Sequence, residues 1–195
     1  HNHSFKSGLH YFSHDLDNQW HSIRNKFHNT ASDSIYEPEI FGDTSAYADV
    51  YRVKPKEIAF YFQDKMEFDD MVINIGARYD QFDPESIFPS DRRNPANQLI
   101  LPDSMTSNYP QAPVIEQISP RVGFAYQLGN QAVLHFSYGH FFQMPPMYAM
   151  YQNHSFLVDP NDFVTRMGNT LLEPENTITF ELGLWQELSR QASLD

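Results

Sequence analysis

The stretch SPRVGFAYQLGNQAVLHFSYGHFFQ, from Ser119 to Gln143, decides the fold class of this chain. Apolar side chains occupy alternate positions on both sides of Gly129 and Asn130, with polar or small side chains between them. This period of two predicts two β-strands, each with one apolar and one polar face. Glycine and asparagine tolerate positive φ, so Leu128 to Gln131 is predicted to contain a two-residue hairpin turn. The stretch is therefore predicted to be a β-hairpin with an aromatic-rich apolar face.

Four further segments alternate in the same way and are also predicted to be strands. They are Phe5 to His14, Pro55 to Glu67, Met71 to Asp80 and Glu175 to Glu187. Long polar segments with turn residues follow the first, third and fifth strands, at Asp15 to Asp49, Gln81 to Glu116 and Met144 to Glu173. The other two connections are short. With antiparallel neighbours, this order places every long loop on one side of the sheet and every tight turn on the other.

Outer-membrane barrels have this distribution of loops, with short periplasmic turns and long extracellular loops. Strands of about 9 to 11 residues suffice to cross the hydrocarbon. A soluble sandwich offers no reason for such sorting. The predicted fold class is all-β: an antiparallel, up-and-down transmembrane β-barrel fragment of about six strands. Because six strands are too few to close a wide barrel, we expect an open, curved sheet with both edges unpaired.

Composition excludes several other classes. The 195 residues carry a formal net charge of -12 and no cluster of Lys and Arg, which argues against a nucleic-acid partner. The absence of cysteine excludes a disulfide scaffold and a thiolate metal site. No apolar run is long enough for a membrane-spanning helix. The chain begins at His1 rather than Met and both ends lie in strand-like sequence, so we expect a piece of a longer protein.

Histidine spacing does not build a metal or catalytic site. His10 and His14 would share a face only in a helix, which the alternation of their segment opposes. His135 and His140 lie on opposite faces of one predicted strand. The sequence also lacks the GxSxG and HExxH motifs and a glycine loop for phosphate. We therefore expect no catalytic residue, no metal site, no cofactor and no enzymatic activity.

Three segments together resemble the barrel of TonB-dependent outer-membrane receptors. They are YFQDKMEFDDMVINIGARYDQFDP (Tyr61 to Pro84), ISPRVGFAYQLGNQAVLHFSYGHFFQMPP (Ile118 to Pro146) and GNTLLEPENTITFELGLWQEL (Gly168 to Leu188). The similarity is greatest to the large branch whose members often begin with a carboxypeptidase-regulatory-like domain. It implies that residues 1–195 are a middle-to-late part of a single barrel domain of about 22 strands. The plug domain and the energy-coupling box would lie upstream.

The resemblance also implies a function and a set of partners. The chain would belong to an outer-membrane active-transport receptor that takes up a scarce nutrient with TonB-coupled energy. The nutrient would be a siderophore, cobalamin, an oligosaccharide or a peptide, and the other partners would be outer-membrane lipid, the plug domain and the TonB complex. The alternative is a soluble all-β ligand-binding module of glycan-binding type. In that alternative the apolar faces would converge on a dry core.

The candidate site residues come from the polar face of the strands and from the third long loop. The lumen-facing polar candidates are Arg78, Asp80, Arg121, His135 and Glu181. Charges of this kind more often pair with each other or with a plug than with a substrate. The aromatic candidates for the extracellular mouth are Tyr148, Tyr151, Phe156 and Phe163. For these aromatic residues, packing within their own loop is the favoured alternative.

The face of the strands that carries the apolar side chains is predicted to meet lipid on the convex side of the sheet. Its ten marker residues are Ile58, Phe60, Phe62, Ile73, Ile75, Phe124, Leu134, Phe136, Phe180 and Leu182. Five glycines occupy the opposite face of the strands: Gly8, Gly76, Gly123, Gly139 and Gly183. Glycine inside a strand marks a bend or a close approach to the backbone. We therefore expect the inward face to be crowded.

Overall fold

The computed structural model of the chain describes residues 1–158, 165–189 and 192–194. In this part of the chain the strands are β1 (Asn2–Ser13), β2 (Leu16–His21), β3 (Ile23–Asn25), β4 (Pro38–Ile40), β5 (Ala48–Val53), β6 (Lys56–Glu67), β7 (Met71–Asp83), β8 (Ile115–Leu128), β9 (Ala132–Gln143), β10 (Glu175–Ser189) and β11 (Ala192–Leu194). One short helix, α1 (Met147–Tyr151), lies between β9 and β10. No helix among these residues has the length and apolarity needed to span a membrane.

The long strands form one antiparallel sheet in the order β1-β6-β7-β8-β9-β10. Each long strand pairs with the next long strand in the chain, as the alternation predicts. The sheet does not close, as the small number of strands predicts. The short β11 adds to the far edge by pairing with Gln186–Ser189 of β10. The prediction that both edges are unpaired is therefore wrong at β10, where the chain folds back and satisfies part of the edge backbone.

The turn between β8 and β9 is longer than predicted. Leu128 pairs with Ala132, which leaves a three-residue loop from Gly129 to Gln131. In this loop only Gly129 has a positive φ, of 65°. A two-residue type I′ turn needs positive φ at both central residues, and Asn130 does not adopt it. The prediction of a two-residue turn is wrong for this reason, although the hairpin itself is present.

Cross-strand register gives the sheet two distinct faces. Phe136 lies opposite Phe124 on β8 and opposite Leu182 on β10, whereas Ser137 lies opposite Gly123 and Glu181. Directly paired residues of antiparallel strands point to the same side. The register therefore collects the ten apolar marker residues on one side, which we call the outer face. The opposite, mainly polar side is the inner face.

Most of the apolar marker residues are exposed on the outer face. Phe180 and Leu182 are 76% and 73% exposed, and Ile58, Phe60, Phe62, Ile75 and Phe136 are also exposed. Ile73, Phe124 and Leu134 are half-buried instead, so the prediction of exposure is wrong for these three. They lie on central strands with neighbours on both sides; the Phe124 ring, for example, stacks beside Tyr126 at 6.4 Å.

The first long connection is more ordered than the predicted loop from Asp15 to Asp49. Strands β2 and β5 pair from Leu16 opposite Val53 to His21 opposite Ala48, and β3 pairs with β4. The backbone N–H of His14 donates to the carbonyl of Pro55 at 2.9 Å, which links this hairpin to β1 and β6. Main-chain hydrogen bonds thus extend the β1–β6 ladder beyond the sheet.

The hydrophobic core lies at the end of the sheet that carries the long connections. Its buried members are Val53, Phe82, Met150 and Tyr151. The Tyr151 hydroxyl donates to the carbonyl of Pro84 at 2.9 Å. We call the unit built from residues 14–55, 84–114, 144–158 and 165–174 the loop cap. Its packing joins all three long connections into one folded structure.

Candidate functional site

The inner face of the sheet encloses a concavity of about 530 Å³. Its lining runs from Lys6 on β1 to Glu181 on β10 and includes residues of every long strand between them. A flat sheet of six strands would be more than 20 Å wide, since neighbouring strands lie about 4.8 Å apart. One cavity that reaches both outer long strands therefore indicates that the sheet curls toward its inner face.

All five lumen-facing candidates lie on this inner face. Arg78, Arg121 and Glu181 line the concavity. Asp80 and His135 share the face by register, since Asp80 pairs with Gln117 and His135 with Gly183, but they lie outside that lining. The structure thus brings three of the five candidates to one cavity.

The charges on the inner face differ in how far they are already satisfied. The Arg78 Nε donates to both carboxylate oxygens of Asp80, at 2.8 and 2.9 Å. Glu181 accepts a hydrogen bond from the Ser137 hydroxyl at 3.3 Å. Arg121 instead lies over the ring of Phe141, 4.9 Å from the guanidinium carbon to the ring centroid. Among the described residues Arg121 has no carboxylate partner, so its charge is available to a ligand or to another domain.

Aromatic side chains cover several of the inner-face glycines. A Cβ atom at Gly8 would overlap the ring of Tyr61, and one at Gly183 would overlap the ring of His135. At Gly139 it would lie 3.2 Å from the ring of Phe141. These glycines let a neighbouring ring lie against the backbone. The crowding of the inner face therefore comes, at these positions, from the sheet's own aromatic residues.

Gly76 gives the sharpest test of this crowding. A Cβ atom there would lie 2.9 Å from the carbonyl oxygen of Phe62, a ladder atom that cannot shift freely. We expect Gly76→Val to destabilise the barrel by about 1–3 kcal/mol through overpacking. The loss would appear as a smaller folded fraction of the full-length receptor in heat-modifiable migration. Ala77→Val, at the next residue on the outer face, should leave folding unchanged. Equal effects at the two positions would contradict the assignment of the faces.

The aromatic candidates of the third connection divide into exposed and buried residues. Tyr148 is 67% exposed, whereas Tyr151 and Phe156 are buried. The Phe156 ring stacks on Tyr109 with centroids 5.8 Å apart. Phe163 lies outside the described residues. Tyr151 and Phe156 thus pack against residues outside their own connection, and Tyr148 is the described candidate that presents its ring to solvent.

A second concavity of about 530 Å³ lies in the loop cap, and we call it the cap groove. Trp20 and Tyr51 line it from the β2–β5 hairpin, and Tyr148 lines it from α1. Trp20 is not among the candidates predicted from the sequence, because the segment from Asp15 to Asp49 is predicted to be a loop. Polar Asn18 lies between Leu16 and Trp20 on the same face of β2, so no apolar alternation marks this strand in the sequence.

Asp49 and His154 titrate in a partly desolvated part of the loop cap. The Asp49 Oδ1 accepts a hydrogen bond from the backbone N–H of Asn153 at 2.9 Å. Burial raises the pKa of Asp49, and this hydrogen bond opposes the rise. Burial lowers the pKa of His154, and the Asp49 charge opposes that shift. The hydrogen bond between Asn153 and Asp49 joins the third connection to the β2–β5 hairpin.

This environment predicts a pH dependence of loop docking. Because the pKa of His154 is lowered below its ordinary 6.5, docking is most stable above about that pH and weakens as the pH falls through it. We expect faster protease cleavage of the third connection in the folded receptor at about pH 5.5 than at about pH 7.5. The raised pKa of Asp49 acts oppositely, favouring docking as the pH falls toward 3.8. His154→Gln should remove the difference in cleavage rate between about pH 5.5 and about pH 7.5 that His154 causes. The same pH dependence in that variant as in the parent would contradict this assignment.

The described residues contain no group of three or more His, Cys, Asp or Glu side chains that could hold a metal ion. The residues that line the two concavities offer charge, hydrogen bonding and aromatic contact to a ligand.

Comparison with known proteins identifies the family. No curated protein matches the sequence. A family model described as TonB dependent receptor-like, beta-barrel, matches residues 2–192, which include all six long strands. Proteins of this family are outer-membrane receptors of Gram-negative bacteria, and they are transporters rather than enzymes. The chain belongs to the TonB-dependent receptor-like β-barrel family.

Proposed function

We propose that residues 1–195 are part of a single barrel domain of an active-transport receptor, which takes up a scarce nutrient with TonB-coupled energy. The observation that carries this proposal is the exposed apolar outer face, which extends over all six long strands. Phe180 and Leu182 are each more than two-thirds exposed there. A contiguous apolar surface of this kind is unusual on a soluble monomer and is expected where lipid is the solvent.

The location of the buried core supports the same proposal. In a soluble sandwich, apolar residues of two sheets interdigitate to form the core. In this chain the buried cluster of Val53, Phe82, Met150 and Tyr151 lies in the loop cap and at the strand ends that adjoin it. The alternative of a soluble glycan-binding module gives no account of the exposed outer face.

The inner face is the surface that we assign to the plug domain and to the passing nutrient. Arg121 offers an unpaired guanidinium among the described residues, and Glu181 offers a carboxylate held by one hydroxyl. The roles of Arg78, Asp80 and His135 in the lumen stay predictions. A siderophore, cobalamin, an oligosaccharide or a peptide each fits a mixed polar wall of this kind. The TonB complex would act through the plug domain.

The direct test follows the full-length receptor in cells that either contain or lack TonB. We expect the receptor in the outer-membrane fraction of both strains, and growth on its limiting nutrient only where TonB is present. Candidate nutrients from the four classes would be supplied singly at growth-limiting concentration. Recovery of the receptor in the soluble fraction, or equal nutrient uptake in the two strains, would contradict the proposal.

A further inference from the structure

We propose that the cap groove is a saccharide-binding site in which Trp20 and Tyr148 provide stacking surfaces and Asp49 and Gln152 provide hydrogen bonds. The inference rests on the proposed function in one respect, that the loop cap faces the outside of the cell. It assigns a ligand class to a specific site on the cap, separate from the inner face of the sheet.

Two elements far apart in the sequence build this groove. On the hairpin, Trp20 pairs with Asp49 and Asn18 pairs with Tyr51, so these four side chains share one face. Tyr148 and Gln152 lie one helical turn apart at α1, where the Gln152 N–H donates to the Tyr148 carbonyl at 2.9 Å. All six of these residues line the groove.

Hydrogen bonds hold the two sides of the groove together. The Asn153 N–H donates to the Asp49 Oδ1 at 2.9 Å and thereby joins the segment after α1 to β5. The Asn18 side-chain amide donates to the Asp49 carbonyl at 2.7 Å, which supports the same position from β2. These contacts fix Asp49 relative to the segment after α1, so a ligand would not have to bring these two sides of the groove together.

The two aromatic walls stay exposed although neighbouring rings are buried. Trp20 is 57% and Tyr148 67% exposed, whereas Tyr151 and Phe156 of the same loop cap are buried. Indole and phenol rings combine a large apolar surface with a polar tip. Two such rings beside one groove suit a flat ligand with apolar C–H faces and polar edges, and a pyranose ring is a ligand of that form.

The polar groups of the groove match the edges of such a ligand. The Asp49 Oδ1 is used by Asn153, while its Oδ2 accepts no hydrogen bond from any described residue. The Gln152 side-chain amide likewise makes no hydrogen bond to a described residue, and it offers both a donor and an acceptor. A partly desolvated carboxylate accepts hydroxyl hydrogen bonds strongly. Sugar hydroxyls need donors and acceptors side by side, which these two residues supply.

The apolar part of the lining favours a saccharide over a peptide. Apart from the aromatic rings it consists of Ala46, Ala48 and Leu157. A peptide that binds through its side chains needs a pocket with a large apolar wall for each anchor. The small aliphatic residues here offer contact area but no deep pocket.

The test measures binding to the full-length receptor in detergent, with neutral gluco-, xylo-, manno- and galacto-configured oligosaccharides as probes in calorimetry. We expect at least one probe to bind, with Trp20→Ala and Tyr148→Ala each weakening the affinity by about tenfold or more. Tyr148→Phe keeps the ring and should bind nearly as well as the parent. Tyr36→Ala is the matched control, because Tyr36 is 71% exposed in the first connection but does not line the groove.

The outcomes separate this inference from the proposed function. If no probe binds while the receptor still reaches the outer membrane and works only with TonB, the saccharide site is wrong and the proposed function stands. If saccharide binding is kept but uptake does not need TonB, the proposed function is wrong and the site stands. Equal loss of affinity in Tyr36→Ala, or capture of an oligopeptide mixture through Trp20 and Tyr148, would also overturn the saccharide site.

Discussion

Replacement of Phe136 by arginine is expected to destabilise the barrel in a membrane by about 2–4 kcal/mol, the range for a cationic side chain near the bilayer midplane. Phe136 lies near the middle of β9 and is exposed on the outer face, opposite Phe124 and Leu182. An arginine there would have to leave water for hydrocarbon without a carboxylate partner nearby. The free energy of unfolding would be measured by denaturant titration of the full-length receptor in lipid vesicles.

Ser137 provides the matched control for this substitution. It follows Phe136 in β9 and points to the inner face, where it lines the concavity beside Glu181. Ser137→Arg should therefore change the free energy of unfolding far less, because its guanidinium stays in water and near a carboxylate. Equal destabilisation at the two positions would show that the outer face does not meet lipid.

Replacement of Tyr151 by alanine is expected to destabilise the loop cap by about 3–5 kcal/mol, the range for removal of a large buried aromatic side chain. Tyr151 is fully buried against Val53, Phe82 and Met150, and its hydroxyl donates to the Pro84 carbonyl. The substitution leaves a cavity where the three long connections meet. We expect the three long connections to become sensitive to external protease on intact cells while the six long strands stay protected.

Two variants separate the causes of this loss. Tyr151→Phe keeps the ring and removes the hydrogen bond to Pro84, so about 1 kcal/mol is expected. Tyr148→Ala changes an exposed tyrosine of the same helix and should alter cap stability by no more than about 0.5 kcal/mol. Similar protease sensitivity in the Tyr148 and Tyr151 variants would contradict the core that we describe for the loop cap.

The sheet is the part of the fold that the sequence predicts well. Each long strand separates two different surroundings, so alternate positions such as Phe136 and Ser137 carry opposite polarity and reveal the strand directly. The β2–β5 hairpin carries no such contrast, since polar and apolar residues occur on both of its faces. Its pairing depends on main-chain hydrogen bonds, which leave little trace in composition. The length of the turn after Leu128 could not be predicted either, because Asn130 permits a positive φ but does not adopt it here.

The sequence predicts on which face of the sheet the candidate residues lie, but it does not predict which side chains they contact. Strand parity placed Arg121 and Glu181 on the inner face, yet the contact of Arg121 with Phe141 is a diagonal one that depends on register. In the loop cap, Tyr148 and Tyr151 lie three residues apart in the same aromatic segment. Their different burial follows from contacts with Val53 and Phe82, which are distant in sequence. A single sequence does not reveal packing of that kind.

The most direct test of the central claim is a site-directed cysteine scan along β9, from Ala132 to Gln143, in the receptor embedded in a bilayer. The 195 residues contain no cysteine. Any cysteine elsewhere in the receptor would first be replaced by serine, so that each introduced thiol reports one position. Each thiol would carry a spin label, and its accessibility to membrane-soluble oxygen would be compared with its accessibility to a polar relaxation agent. We expect oxygen to dominate at Leu134, Phe136 and Tyr138, and the polar agent to dominate at His135 and Ser137. If both agents reach both sets equally, or if the even positions are shielded from both, the outer face is not the lipid-facing surface of a membrane barrel.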